Sequence, residues 1–231
     1  MGGVGKTTLA QLVYNDEKVT RHFNLRAWVC VSDDFDVFKI TQTIYMSVPS
    51  HAKCENPNDL NELHVQRVFD WEEVSLCSDD VWDENYANWE FLRRPFESGA
   101  CGSKIIVTTR NEGVASVMGT LRTHHLRDIC DNDCWLLFAK HAFENKNVRA
   151  YPNLEVIGRN IVKKCKSLPL AAKSLGGLLR SISNEEEWKN VLDSDIWELS
   201  DKECNILPAL WLSYRYLPPH LKRSFSNTTH S

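Results

Sequence analysis

The opening stretch Met1-Gly-Gly-Val-Gly-Lys-Thr-Thr8 constrains this chain more than any other segment. Gly5-Lys6-Thr7 is the tail of the phosphate-binding loop pattern, in which a glycine and four residues precede Gly-Lys-Ser/Thr; the leading glycine falls one position before Met1. Glycines let successive backbone N–H groups turn inward around phosphate oxygens, and the following helix adds the positive end of its dipole. Thr7 to Tyr14 reads as that helix. Lys6 is placed to reach the β and γ phosphates, and the Thr7 hydroxyl to sit on Mg²⁺. The plainer alternative is a glycine-rich turn before an ordinary helix, and it leaves the order Gly-Lys-Thr unexplained. No strand precedes the loop in the sequence, although such loops normally follow one.

Composition narrows the class without naming the activity. The hydrophobic share of 42% and charged share of 25% are those of a globular fold, and 231 residues hold one large domain or two small ones. A net charge of −4 argues against a nucleic-acid footprint, which is usually basic. No apolar run reaches the length of a membrane span and no secretory leader is visible, so a cytoplasmic protein is expected. Eight cysteines are scattered through apolar segments; Cys130 and Cys134 form the only close pair, and no further ligands complete a zinc pattern. Buried free thiols are the expectation.

Along the first half, helix and strand signals alternate. Leu25 to Val31 is a β-rich run ending at Ser32-Asp33-Asp34, and 37–48 carries helical spacing up to Pro49. Residues 51–59 read as a loop, with Asp59 capping a helix through Leu60, Leu63 and Val68. A weak strand follows at Val74 to Cys77, then a short helix from Trp89 to Phe96 closed by Ser98-Gly99. Lys104 to Thr109 is the cleanest strand. Such alternation predicts a parallel sheet with helices on both faces. Beyond about residue 127 strand signals vanish. Helices are expected at 131–142, 154–165, 170–179, from Glu185, and at 206–217, ahead of a frayed end at 224–231.

Two further elements carry chemistry. Asp79-Asp80 follows the weak strand, at the carboxyl edge where open α/β sheets bind ligands. One carboxylate there can hold the Mg²⁺ that bridges the phosphates, while its neighbour orients water. Two aspartates after a strand usually make a turn or cap; about 70 residues after a phosphate loop they become a Walker B candidate. The strand itself is poor, because Ser75 and Ser78 interrupt a run that should be continuously apolar, and each unpaired hydroxyl there costs roughly 1–3 kcal/mol. Arg110, ending Thr108-Thr109-Arg110, points to the same crevice and could sense a γ-phosphate through a charge-assisted fork. On spacing alone, a surface arginine is as good an account.

Taken together, the blocks Gly2-Gly-Val-Gly-Lys-Thr-Thr8, Ala27-Trp-Val-Cys-Val-Ser-Asp-Asp-Phe35, Asp79-Asp-Val-Trp82, Gly102-Ser-Lys-Ile-Ile-Val-Thr-Thr-Arg110, Cys134-Trp-Leu-Leu-Phe138, Leu168-Pro-Leu-Ala171 and Leu207-Pro-Ala-Leu-Trp-Leu-Ser-Tyr214 resemble the NB-ARC domain of plant disease-resistance proteins with a coiled-coil N-terminus. The resemblance implies a P-loop NTPase-type sheet (here lacking its first strand) followed by a helical bundle. It implies a nucleotide-binding subdomain at 1–126, a first helical ARC subdomain at 127–200, and the start of a second at 201–231. It also implies an ADP/ATP-dependent switch in plant defense, joined in a whole receptor to coiled-coil and leucine-rich-repeat domains. Carried over by position, Gly3, Val4, Gly5, Lys6, Thr7 and Thr8 would bind phosphates, Thr7 and Asp79 would support Mg²⁺, Asp80 would serve hydrolysis, Arg110 would sense the γ-phosphate and Pro169 would lie against the adenine.

The departures set further expectations. The family's first strand lies inside its sheet, so its loss should leave neighbouring strands with unpaired ladder groups and the chain marginally stable. Ser167 replaces the family's glycine before Leu168-Pro169, and the sequence stops at Ser231, before the family's Met-His-Asp motif. The expectation is therefore a fragment truncated at both ends with impaired binding. The alternatives are a weak ATPase, or a non-binding remnant that acts through its helical surfaces.

Overall fold

The computed structural model describes residues 2–23, 25–31, 36–47, 73–97, 100–144, 147–198 and 208–215. The chain forms two compact units, residues 1–125 and 126–231. The expected loop at 51–59, the helix through Leu60 and Val68, the turns at Ser32–Asp34, Pro49 and Ser98-Gly99, and the end from 216 lie outside the described residues.

In the first unit, α1 (Lys6–Tyr14) and α2 (Glu17–His22) precede strand β1 (Leu25–Cys30). Helix α3 (Val37–Ser47), strand β2 (Val74–Val81), helix α4 (Tyr86–Glu97), strand β3 (Lys104–Thr109) and helix α5 (Glu112–Met118) follow. The strands pair in parallel in the order β1-β2-β3. Alternation sorts β1 by face. Leu25, Ala27 and Val29 are buried in one core with Ile40 and Ile44 of α3, Trp89 and Leu92 of α4, and Val114 of α5. The intervening residues meet α1 instead: Trp28 packs edge-on against Tyr14 with centroids 5.5 Å apart, and Arg26 Nη1 donates to the Tyr14 carbonyl at 2.7 Å. Helices therefore cover both faces, as the alternation predicts.

Two expectations about the sheet need correction. The strand expected to stop at Cys77 runs on to Val81, so both aspartates lie within β2 rather than after it. The expected interior gap does not occur among the described residues, because β2 pairs with β1 along one edge and directly with β3 along the other. Unpaired interior ladder groups are expensive, and direct pairing removes that cost. Both doubted serines are buried, at 2% and 1% exposure, and Ser78 Oγ has no hydrogen-bond partner.

Helices α2 and α5 carried no clear periodic signal, being too short for an apolar stripe. Their starts are nevertheless written in the sequence. Asp16 accepts from Lys18 N and Asn111 from Gly113 N, both at 2.8 Å, and each cap precedes a glutamate.

The second unit contains α6 (Asp131–Ala142), α7 (Pro152–Lys164), α8 (Pro169–Leu179), α9 (Glu185–Leu192) and α10 (Pro208–Arg215). Helix α6 packs on α7 and α8, α9 on α7, and α10 on α8. Trp135, Phe138, Phe143 and Trp188 form a ring cluster with centroids 5.6 to 6.4 Å apart. Gly158 admits these rings: a Cβ there would stand 3.0 Å from both Trp135 and Phe138. Gly176 sets the approach of α8 to α6, since its Cβ would lie 2.6 Å from the Phe138 carbonyl. Ser167 holds a left-handed backbone, with φ 58°, and donates to Asp131 Oδ1 at 3.1 Å. Pro169 is the first residue of α8, where its missing N–H costs nothing.

Candidate functional site

Gly3 and Gly5 hold left-handed φ angles of 78° and 99°, and Gly5 caps α1 without a side-chain bond. These angles suit glycine and turn the chain into the helix start, where the first amides have no carbonyl one turn back. Lys6 opens the helix, and Thr7 and Thr8 are exposed on its first turn. Between them these residues carry backbone donors, one ammonium and two hydroxyls at the helix start, a set of groups suited to an anion and its metal ion.

Adjacent residues in a regular strand point to opposite faces, so Asp79 and Asp80 should not serve one site. A bulge resolves this. Ser78 pairs with Val107 and Val81 with Thr109, leaving one extra residue on β2 opposite Thr108. Asp80 absorbs the irregularity at φ 55°, a conformation aspartate tolerates better than most residues. Thr108, buried at 8% exposure, ties the bulge with its single hydroxyl: Oγ1 accepts from Asp80 N at 3.0 Å and donates to Asp79 Oδ1. That same Asp79 oxygen accepts from Thr7 Oγ1 at 3.0 Å, across 72 residues of sequence. Asp79 is 4% exposed, so these hydroxyls supply the partners that a buried carboxylate requires.

Arg110 completes the cluster. Its Nη2 pairs with Asp80 Oδ2 at 3.2 Å, its guanidinium carbon lies 5.1 Å from the centre of the Trp82 ring, and a Cβ on Gly2 would meet Nη1 at 3.1 Å. Burial, and next the Arg110 guanidinium, lowers the Lys6 ammonium from its ordinary pKa, against the opposing pull of Asp80 and Asp79. Two cations and two carboxylates therefore share one locus with no formal surplus. A polyphosphate entering it would bring uncompensated negative charge, a need that a divalent cation on oxygen ligands can meet.

The sequence-predicted residues Gly3, Val4, Gly5, Lys6, Thr7 and Thr8 thus form one loop and helix start, joined to Asp79 by Thr7 and to Asp80 and Arg110 through the shared electrostatics. Pro169 belongs to the other unit. Sequence reasoning missed Thr108, Trp82 and Gly2 as members of the cluster; all three stood inside the quoted blocks, Thr108 two residues before Arg110 and Trp82 two after Asp80. The described thiols divide rather than all being buried: Cys77, Cys134 and Cys165 are buried, whereas Cys30, Cys101 and Cys130 are exposed. Burial raises Cys77 and Cys165 to about 12 and Cys134 to about 11, so these are structural groups. No described helix is long and apolar enough to cross a membrane.

A glycine loop entering a helix, a parallel sheet and paired acids on the neighbouring strand define an α/β P-loop NTPase-type fold, here followed by a helical region. The NB-ARC domain family matches residues 1–148, and the chain belongs to it. RPP13-like protein 1 of Arabidopsis thaliana, which carries a disease-resistance name, is 45% identical over 98% of the chain. Disease resistance protein RGA2 of Solanum bulbocastanum is 44% identical, also over 98%. The chain spans 22% and 23% of the length of these two relatives.

Proposed function

We propose that this chain is the ADP/ATP-binding switch module of a cytoplasmic plant immune receptor acting in defense. Its subdomains would span 1–126, 127–200 and 201–231, and in the whole receptor it would work beside coiled-coil and leucine-rich-repeat domains. The observation that carries the reading is the single cluster joining Thr7, Asp79, Thr108, Asp80 and Arg110 at the start of α1. Gly3, Val4, Gly5, Lys6, Thr7 and Thr8 bind the phosphates, Lys6 as the compact charge and the glycine amides as the cradle. The hard oxygens of Thr7 and Asp79 suit Mg²⁺, which would neutralise charge between the phosphates. Arg110 reads the γ-phosphate, and Pro169 offers an apolar face to the adenine.

The test is calorimetry with ADP and Mg²⁺. Lys6→Ala should weaken binding at least tenfold, since hydrogen bonds to charged groups contribute about 1.5–3 kcal/mol. Unchanged affinity would remove Lys6 from the site. Slow ATP hydrolysis is the second reading, favoured by an Asp80 carboxylate that stays 41% exposed beside Arg110. Asp80→Glu should then keep ADP affinity and lower turnover, because charge is retained while water geometry moves.

A further inference from the structure

Neither the phosphate-loop pattern nor the paired aspartates account for Trp82. It is 41% exposed, so it contributes little to any core, yet its ring lies under a cation. That cation, Arg110, spends its charge on Asp80 at 3.2 Å in a pair whose side chains are 44% and 41% exposed. Exposed pairs of this kind are weak and screened, so an incoming anion can displace the carboxylate. A terminal phosphate, with more charge and more acceptor oxygens, is the stronger partner for a guanidinium fork. The indole contact differs in kind. The aromatic face attracts the cation whichever oxyanion the fork addresses, so it can persist through an exchange of partners. Gly2 leaves the room: any side chain there would press on the guanidinium.

We propose that Trp82 is the positioning residue for Arg110, holding the guanidinium at the loop while its charge passes from Asp80 to the terminal phosphate of a nucleoside triphosphate. The choice between triphosphate and diphosphate then depends on Trp82, although the indole itself touches neither. This rests on the nucleotide-binding reading above. It adds a residue and a consequence: Asp80 is occupied by Arg110 until a third phosphate arrives, and is released when it does.

The experiment is calorimetry on the full chain with Mg²⁺ and either ADP or ATP, for wild type, Trp82→Leu, Trp82→Tyr, Arg110→Ala and the double variant Trp82→Leu/Arg110→Ala. Trp82→Leu should weaken ATP binding roughly two- to fivefold and leave ADP unchanged, as expected for an exposed cation–π contact. Trp82→Tyr, which keeps an aromatic face, should retain most of the difference. In the Arg110→Ala background, Trp82→Leu should have no further effect, because the two residues act as one unit. Equal losses for ADP and ATP, an effect that survives without Arg110, or no effect at all would overturn the proposal while leaving nucleotide binding intact. A wild-type chain that binds neither nucleotide would overturn the reading beneath it.

Discussion

The buried polar side chains among the described residues, Ser75, Ser78, Asp79 and Thr108, all belong to residues 1–125 and all lie on β2 or β3. The buried side chains of residues 126–231 are aromatic, aliphatic or thiol, from Trp135 and Phe138 to Leu175, Leu179 and Trp188. Both units contain closely packed helices, so packing alone does not separate them. What differs is where desolvation is tolerated. The helical unit buries only groups that gain from leaving water. The sheet unit buries a carboxylate and three hydroxyls on β2 and β3; Asp79 and Thr108 are partnered at the carboxyl end of the strands, whereas Ser78 Oγ is not. Among the described residues polar burial is thus confined to β2 and β3, with its hydrogen-bonded members where phosphate chemistry is proposed, and the helical unit supplies no comparable cluster.

The contrast can be broken from either side. The largest effect is expected from Phe138→Ala, whose side chain is fully buried in the ring cluster; loss of about 3–5 kcal/mol should appear in urea denaturation. A near-zero loss would mean that the helical unit is not held by its apolar core. Thr108→Val keeps the shape but strips two hydrogen bonds from the bulge. It should cost about 1–3 kcal/mol and weaken ADP binding several-fold, because Asp79 loses a group that orients it. Stability and affinity matching wild type would show that the bulge holds itself.

Ser78→Ala reverses the sign. Its hydroxyl is buried without a partner, so removal should leave stability unchanged or raise it by about 1 kcal/mol, read from the denaturation midpoint. A clear loss would reveal a partner that the geometry does not contain. The smallest effect concerns His141 in the helical unit. Burial, then Lys173, Lys140 and Arg180, holds its pKa below the ordinary 6.5. The folded state therefore binds the proton less readily than the unfolded chain. The contribution is present above the unfolded value and is lost as pH falls below it. Melting temperature should decline between about pH 7 and pH 5, and His141→Gln should flatten that slope; an unchanged slope would assign the decline to other groups.

Much of this was legible from the order of residues. Local rules suffice for a loop whose glycines must take positive φ, for a β-rich run at Leu25, and for helices such as Asp131–Ala142 and Glu185–Leu192 opened by caps and acidic first turns. The rules weaken where chemistry interrupts the pattern. The serines and aspartates of β2 look like the end of a strand because apolar periodicity stops at Cys77. Only pairing with β3 carries the strand to Val81 and inserts the bulge. Period-two alternation would send Asp79 and Asp80 to opposite faces, so their convergence is decided by a hydrogen-bond register that no local spacing encodes. The same holds for Thr7 meeting Asp79 and for Trp82 beneath Arg110. The sequence by itself determined which groups were available and which elements would carry them. Their meeting belongs to the tertiary structure, because a carboxylate on one strand, a hydroxyl on a helix and a guanidinium just past another strand acquire joint chemistry only at a few ångströms' separation.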